Sequence, residues 1–195
     1  MTLIALSWLE QAFQGADAPR APAAALAGLN GHVKRVLGQT AVEAREDGAA
    51  QGSDDGLDAA CLWLPDGQGH VEFAGAHLPL LVIRPGAAEP EVVDADRTSV
   101  GYVDTPADQR WTSRQVPLPA GTLLAIATDG VVDQLGGPKK LSHGRKRLAQ
   151  LLGEHRAEPA AALATRFRQA FADWQGAELR RDDVALLLLR PGSAP

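Results

Sequence analysis

The chain has 195 residues, 45% hydrophobic and 22% charged, with a net charge of −5. That length suits one domain with a substantial core, and the composition is ordinary for a globular protein. The acidic balance argues against nucleic acid as the main partner, because phosphate binding needs a concentrated basic surface, and the single cysteine, Cys61, excludes an internal disulfide.

The chain opens with an apolar run, Leu3-Ile4-Ala5-Leu6-Ser7-Trp8-Leu9, closed by Glu10. A membrane span needs about 20 apolar residues, and no positive charge of the signal-peptide kind precedes Arg20. A buried helix from about Thr2 to Gln14 is expected instead. Ala16 to Ala21 is a connection, and Pro22 suits the start of the next helix. Leu26, Leu29, Val33 and Val36 recur at helical spacing, which predicts an amphipathic helix over 23–37. His32 lies off that apolar stripe and reads as solvated. Glu43 to Gly56 is polar and acidic and reads as a loop.

The pattern then changes to strands. Asp58 to Leu64, Gly69 to Ala74 and Leu78 to Ile83 are short apolar segments, and Pro65-Asp66-Gly67 marks a hairpin turn between the first two. Glu91 to Val93 and Val100 to Val103 read as further short strands. Trp111 to Leu118 leads through Pro119-Ala120-Gly121 into a strand ending at Asp129. Gly136-Gly137-Pro138 is a break. Leu141, Leu148, Leu151 and Leu152 mark a helix ending near Gly153, and Pro159 opens another with Leu163, Phe167, Phe171 and Trp174 on one face. A final strand follows Asp183, and 191–195 is a tail. Trp8, Phe13, Phe167, Phe171 and Trp174 read as core, and Cys61 as a core filler. Helices at both ends with antiparallel strands between them give an α+β layered fold class.

Two acidic motifs sit at strand ends. One is Ala127-Thr128-Asp129-Gly130, after Thr122 to Ile126. The other is Arg181-Asp182-Asp183, before Val184 to Leu189. Either alone is an ordinary turn signal. Together they place two carboxylates at the rims of buried strands, where they can converge on a hard divalent cation. Asp54, Asp55 and Asp58 form a third acidic group, for which a solvated loop is an equal reading. The basic run Lys139, Lys140, Arg145, Lys146 and Arg147 reads as a solvated helix face, and His77 and His143 as hydrogen-bonded structural histidines.

In this order the motifs resemble the SpoIIE-type bacterial phosphatases, of the metal-dependent (PPM-type) serine/threonine class. The resemblance rests on five stretches: residues 121–133, with Thr128-Asp129-Gly130; residues 181–186, with Asp182-Asp183; the hairpin Phe73 to Leu80; Ser53 to Ala60; and Asp133 to Gly137. It implies a phosphatase domain over 1–190 with two packed antiparallel sheets flanked by helices. It implies two Mn²⁺ or Mg²⁺ ions and a metal-bound water that attacks phosphoserine or phosphothreonine. The implied substrate is a phosphorylated STAS-type regulatory protein, an anti-sigma antagonist or a relative. A cytoplasmic location follows, with no membrane span in this chain; an upstream sensory or membrane region and a homodimer remain open.

Carried over by resemblance, Asp129, Gly130 and Asp182 are the metal-site residues. Asp133 and Asp183 are supporting residues that orient ligands or hold a metal-bound water. The chain departs from the pattern in two places. No Asp-x-x-Gly-His-Gly segment precedes the first helix, so an N-terminally incomplete domain is expected, with an unusually apolar surface exposed on that helix through Leu3, Ile4, Leu6, Trp8 and Leu9, and Ala185 stands where the family usually has threonine. A rival expectation is a non-catalytic module of the same fold that only binds a partner.

Overall fold

The computed structural model describes residues 1–14, 21–39, 54–67, 69–87 and 89–191. The expected connection at 16–20, most of the acidic loop at 43–56 and the end of the tail lie outside them. The chain divides into two compact units. One comprises Met1–Asp66, His70–His77 and Ala95–Val116, the other Gly67–Gly69, Leu78–Asp94 and Pro117–Pro195.

In the first unit, α1 spans Thr2–Ala12 and α2 Pro22–Leu37. Pro22 opens α2 where its missing N–H costs nothing, and Gly38 closes it in a left-handed conformation. Strands β1 (Ala59–Trp63) and β2 (His70–Ala76) pair antiparallel across the expected hairpin, and β5 (Arg114–Pro117) lies on the other side of β2. Leu26, Leu29 and Val33 of α2 pack with Ala74, Ala76, Val100 and Trp111, and Cys61 lies against this core.

Three expectations fail in this unit. No residue of α1 is fully buried. A helix apolar on every side can cover only the side facing its partner, so Ile4, Ala5 and Trp8 pack inward while Leu3, Leu6, Leu9 and Phe13 form the exposed apolar surface that was also expected of this helix. Phe13 is therefore not core. His32 is not solvated: it is buried, with Nε2 3.2 Å from Ser7 Oγ, because α1 covers that side of α2. Residues 100–103 are not a strand. Val100 makes a single bridge to Leu57, and side chains take over the neighbouring backbone groups. Asn30 Oδ1 accepts from Gly101 N–H, Asp54 Oδ1 accepts from Val103 N–H, and Lys34 Nζ donates to the Tyr102 and Val103 carbonyls. Gly101 has φ +94°, and a Cβ there would meet Val33 at 2.4 Å, so glycine lets this loop press onto α2.

The second unit carries one antiparallel sheet in the order β4-β3-β6-β9, formed by Glu91–Val93, Leu80–Ile83, Leu123–Ala127 and Leu186–Leu189. Helices α4 (Gly144–Glu154) and α5 (Ala160–Gln175) supply Leu148, Leu152, Leu163, Phe167 and Phe171 to the core with Leu81, Ile83, Leu123 and Ala125. The expected helical start at Leu141 is corrected. Leu135–Gly136 and Leu141–Ser142 form a small ribbon, β7 and β8, with the Gly137-Pro138 break inside it. His143 follows, buried against the rings of Phe171, Trp174 and Phe167 at 5.4, 6.0 and 6.4 Å between centroids. Its Nδ1 is buried without a hydrogen bond of normal geometry, and the Gly144 backbone is the polar group that interacts with the ring.

Candidate active site

Strand β6 ends at Ala127, and the chain turns at Thr128 into the one-turn helix α3, Asp129–Val132. Strand β9 lies beside β6, with Ala127 opposite Leu186. The residues just before β9 therefore meet the residues just after β6 at one end of the sheet.

Thr128 joins the two. Its N–H donates to the Ala185 carbonyl at 3.0 Å. Its Oγ1 donates to the Asp183 carbonyl at 2.8 Å and accepts from the Ala185 N–H at 2.9 Å. A hydroxyl that both donates and accepts can do this from one position. Gly130 completes the contact, since a Cβ there would lie 2.4 Å from the Asp183 carbonyl oxygen and 3.2 Å from the Asp182 carbonyl carbon. Only glycine allows the two backbones so close.

Each aspartate is held by the same local device. Asp129 Oδ1 accepts from the Gly130 N–H at 2.8 Å, and Asp182 Oδ1 accepts from the Asp183 N–H at 2.7 Å. One carboxylate oxygen of each is thereby oriented, and both side chains are exposed. Asp133 closes α3, with its N–H on the Asp129 carbonyl at 2.8 Å, and is exposed, as is Asp183. The sequence reading and the structure thus bring Asp129, Gly130, Asp182 and Asp183 to one corner.

The chemistry of this donor set suits a hard divalent cation that keeps much of its water shell, for which one or two carboxylates suffice. Among the described residues no three His, Cys, Asp or Glu side chains gather to hold a metal ion. The corner therefore offers oxygen donors without enclosing a cation in protein ligands.

The other candidates belong elsewhere. Asp54 and Asp58 lie in the first unit, where Asp54 caps Val103 and Asp58 Oδ1 accepts from Ser99 Oγ at 2.6 Å. His77 is exposed with φ +63°. In the basic run, Lys140 pairs with Glu178 at 2.8 Å, and the Arg147 guanidinium lies 3.8 Å from the centre of the Trp174 ring. The residue that sequence reasoning missed is Thr128. Its signal was present: a hydroxyl residue between a buried strand and an acidic turn is a candidate to cap or clamp.

The family model of Stage II sporulation protein E (SpoIIE) matches residues 2–191. No curated protein sequence matches the chain. Among solved structures, the SiaA PP2C domain of Pseudomonas aeruginosa is 25% identical with a TM-score of 0.80, over 97% of this chain and 68% of that one. The RsbU and RsbW domains of a Mycobacterium tuberculosis protein are 19% identical with a TM-score of 0.69, over 98% of this chain and 48% of that one. The catalytic domain of the serine/threonine protein phosphatase PstP, in complex with two manganese ions, is 12% identical with a TM-score of 0.56, over 96% of this chain and 78% of that one. Among the described residues no helix is long and apolar enough to cross a membrane. With its family match running over almost the whole chain and its fold shared with PP2C phosphatases, this chain belongs to the SpoIIE family of serine/threonine phosphatase domains.

Proposed function

We propose that the chain removes phosphate from phosphoserine or phosphothreonine on a regulatory protein of the STAS type, using Mn²⁺ or Mg²⁺ held at Asp129 and Asp182. The observation that carries this reading is the clamped corner, in which Thr128 and Gly130 fix the two aspartate-bearing backbones against each other. In this reading Asp129 and Asp182 would hold the cation through their carboxylates, each already oriented by the hydrogen bond to its Oδ1. Gly130 supplies the close approach rather than a side-chain ligand. Asp133 and Asp183 receive hydrogen bonds from bound water and orient it. The cation, when bound, lowers the pKa of a water so that it can attack phosphorus. The manganese ions in PstP support the choice of metal, and the pairing of RsbU with RsbW domains in a similar structure supports a regulatory protein as partner.

Among the described residues no three candidate ligands cluster, which leaves one rival, a module that binds its partner without catalysis. Two measurements separate them: hydrolysis of a phosphoserine protein with Mn²⁺ present, and calorimetric titration of Mn²⁺. Asp129→Ala and Asp182→Ala are each expected to cost on the order of a hundredfold or more in rate, the scale of losing one preorganised charge, and to weaken Mn²⁺ binding. Asp133→Asn is expected to cost about ten- to a hundredfold. Manganese that binds equally to wild type and both alanine variants would remove the site. Manganese that binds at these aspartates with no turnover of any phosphoprotein would leave the binding module.

A further inference from the structure

The sheet of the second unit has another end. Strands β6 and β9 are antiparallel, so the end away from Asp129 and Asp182 brings Gly121, before β6, beside Arg190, after β9. Arg84, after β3, lies at the same end, because Ile83 is opposite Leu123. A strand of five residues sets this end roughly 15 Å from the aspartate corner.

A cavity of about 340 Å³ opens there, lined by Arg84, Arg156 and Arg190 with the turns at Gly86 and Gly121 and without any acidic side chain. All three arginines are half-buried. Arg84 is neutralised by Glu91 at 2.9 Å. Arg156 and Arg190 form no ion pair among the described residues. Arg190 donates instead to the carbonyls of Gly121 at 2.7 Å, Arg156 at 2.6 Å and Glu158 at 3.1 Å. Arg156 donates to the Gly153 carbonyl at 2.8 Å. Carbonyl oxygens hold a guanidinium in place but leave its charge uncompensated. Two such charges, partly removed from water and lining one cavity, favour an anion within it.

We propose that this cavity binds a phosphate group, either free phosphate or a small phosphate monoester. A dianion matches two uncompensated cations. Among the described residues Arg156 donates to protein only through Nη1, so its Nε and Nη2 keep a planar fork that matches phosphate oxygens. Arg190, committed to three carbonyls, contributes chiefly its charge. The volume holds a phosphate with a short organic stem. The site is independent of the aspartate corner and of the reaction assigned to it.

The test is a titration of metal-free protein with inorganic phosphate, followed by amide NMR shifts, against sodium chloride of equal ionic strength. Without a cation at the aspartates, the corner has nothing to attract phosphate. Saturable shifts at Gly86, Gly121 and Ala157 are expected, with affinity about tenfold or more weaker in Arg156→Gln. The same loss is expected in Arg190→Gln, and none in Arg145→Gln. Since Arg190 also ties three carbonyls, Arg156→Gln is the deciding variant if Arg190→Gln does not fold. A parallel titration with phosphoserine identifies the source: tighter binding than phosphate marks a monoester site, and equal or weaker binding a site for free phosphate. Shifts that chloride reproduces, that leave Arg156→Gln unaffected, or that centre on Asp129 and Asp182 would overturn the proposal.

Discussion

The two compact units solve the same problem with different materials. In the second, sheet and helices share an aliphatic and aromatic core, and Leu148, Leu152 and Leu163 are almost wholly removed from water. In the first, the loop at 99–105 has almost no ladder, and buried polar side chains hold it. Asn30 takes one of its amides and, through Nδ2, the Pro106 carbonyl, while Lys34 takes two of its carbonyls. Lys34 is 2% exposed, and burial lowers its pKa, with Asp104 and Asp54 pulling back in the opposite direction. The difference teaches that stability in one unit is a matter of filled volume, and in the other of satisfied carbonyls and amides.

The largest effect that would test this contrast is Leu163→Ala. It empties space at a fully buried position of the second unit, and a loss of about 2–5 kcal/mol is expected, read as faster hydrogen exchange in α5 and β6. A loss confined to the first unit would break the comparison. Next is Lys34→Met, which keeps the apolar stem and removes the donors. It leaves the Tyr102 and Val103 carbonyls without their partner, and about 1–3 kcal/mol is expected, with exchange of residues 99–105 rising first. If Lys34→Met is neutral, volume rules in both units.

A third measurement sharpens the contrast within the second unit, at its buried imidazole. Burial first, and the Arg147 charge second, lower the pKa of His143 below its ordinary 6.5, against a weaker pull from the Gly144 backbone. The unfolded chain takes up this proton near pH 6.5, and the folded chain only at lower pH. Stability from this group is therefore constant above that value and falls below it, by at most about 1.4 kcal/mol per pH unit. Urea midpoints across this range should slope in the wild type and flatten in His143→Gln; parallel slopes would show that the ring is not the cause. The smallest effect has the opposite sign. Gly31 sits inside α2 with nothing near the place of a Cβ, so Gly31→Ala should stabilise the first unit by about 0.5–1 kcal/mol, seen as a higher melting temperature.

The same contrast decides what was legible in the sequence. Apolar periodicity located α2, α5 and the strands of both sheets except β5, because those elements are held by the residues that make the pattern. It failed at His32, whose burial depends on which side α1 covers, and at 100–103, where only Val100 joins the core with α2 and the neighbouring backbone bonds go to Asn30, Lys34 and Asp54. It also failed at Leu141, which continues a leucine spacing by coincidence and belongs to a two-residue strand. The aspartate corner was legible as two strand ends because Asp-Gly and Asp-Asp punctuate apolar runs. For Thr128 only a capping signal was legible; its clamp was not, since the partner strand lies far along the chain.

That distance has a consequence for assembly. Thr128 and Asp183 are 55 positions apart, with β7, β8, α4 and α5 between them. Closing so long a loop costs entropy that is recovered only when β9 docks on β6. The corner therefore belongs to the late stages of folding. A chain in which β9 has not yet docked presents Asp129 to solvent without Asp182 beside it, and a cut anywhere in the intervening helices would loosen the second carboxylate from the first. Under the proposed function, ion affinity at this corner would then serve as a clock for the completion of the whole unit.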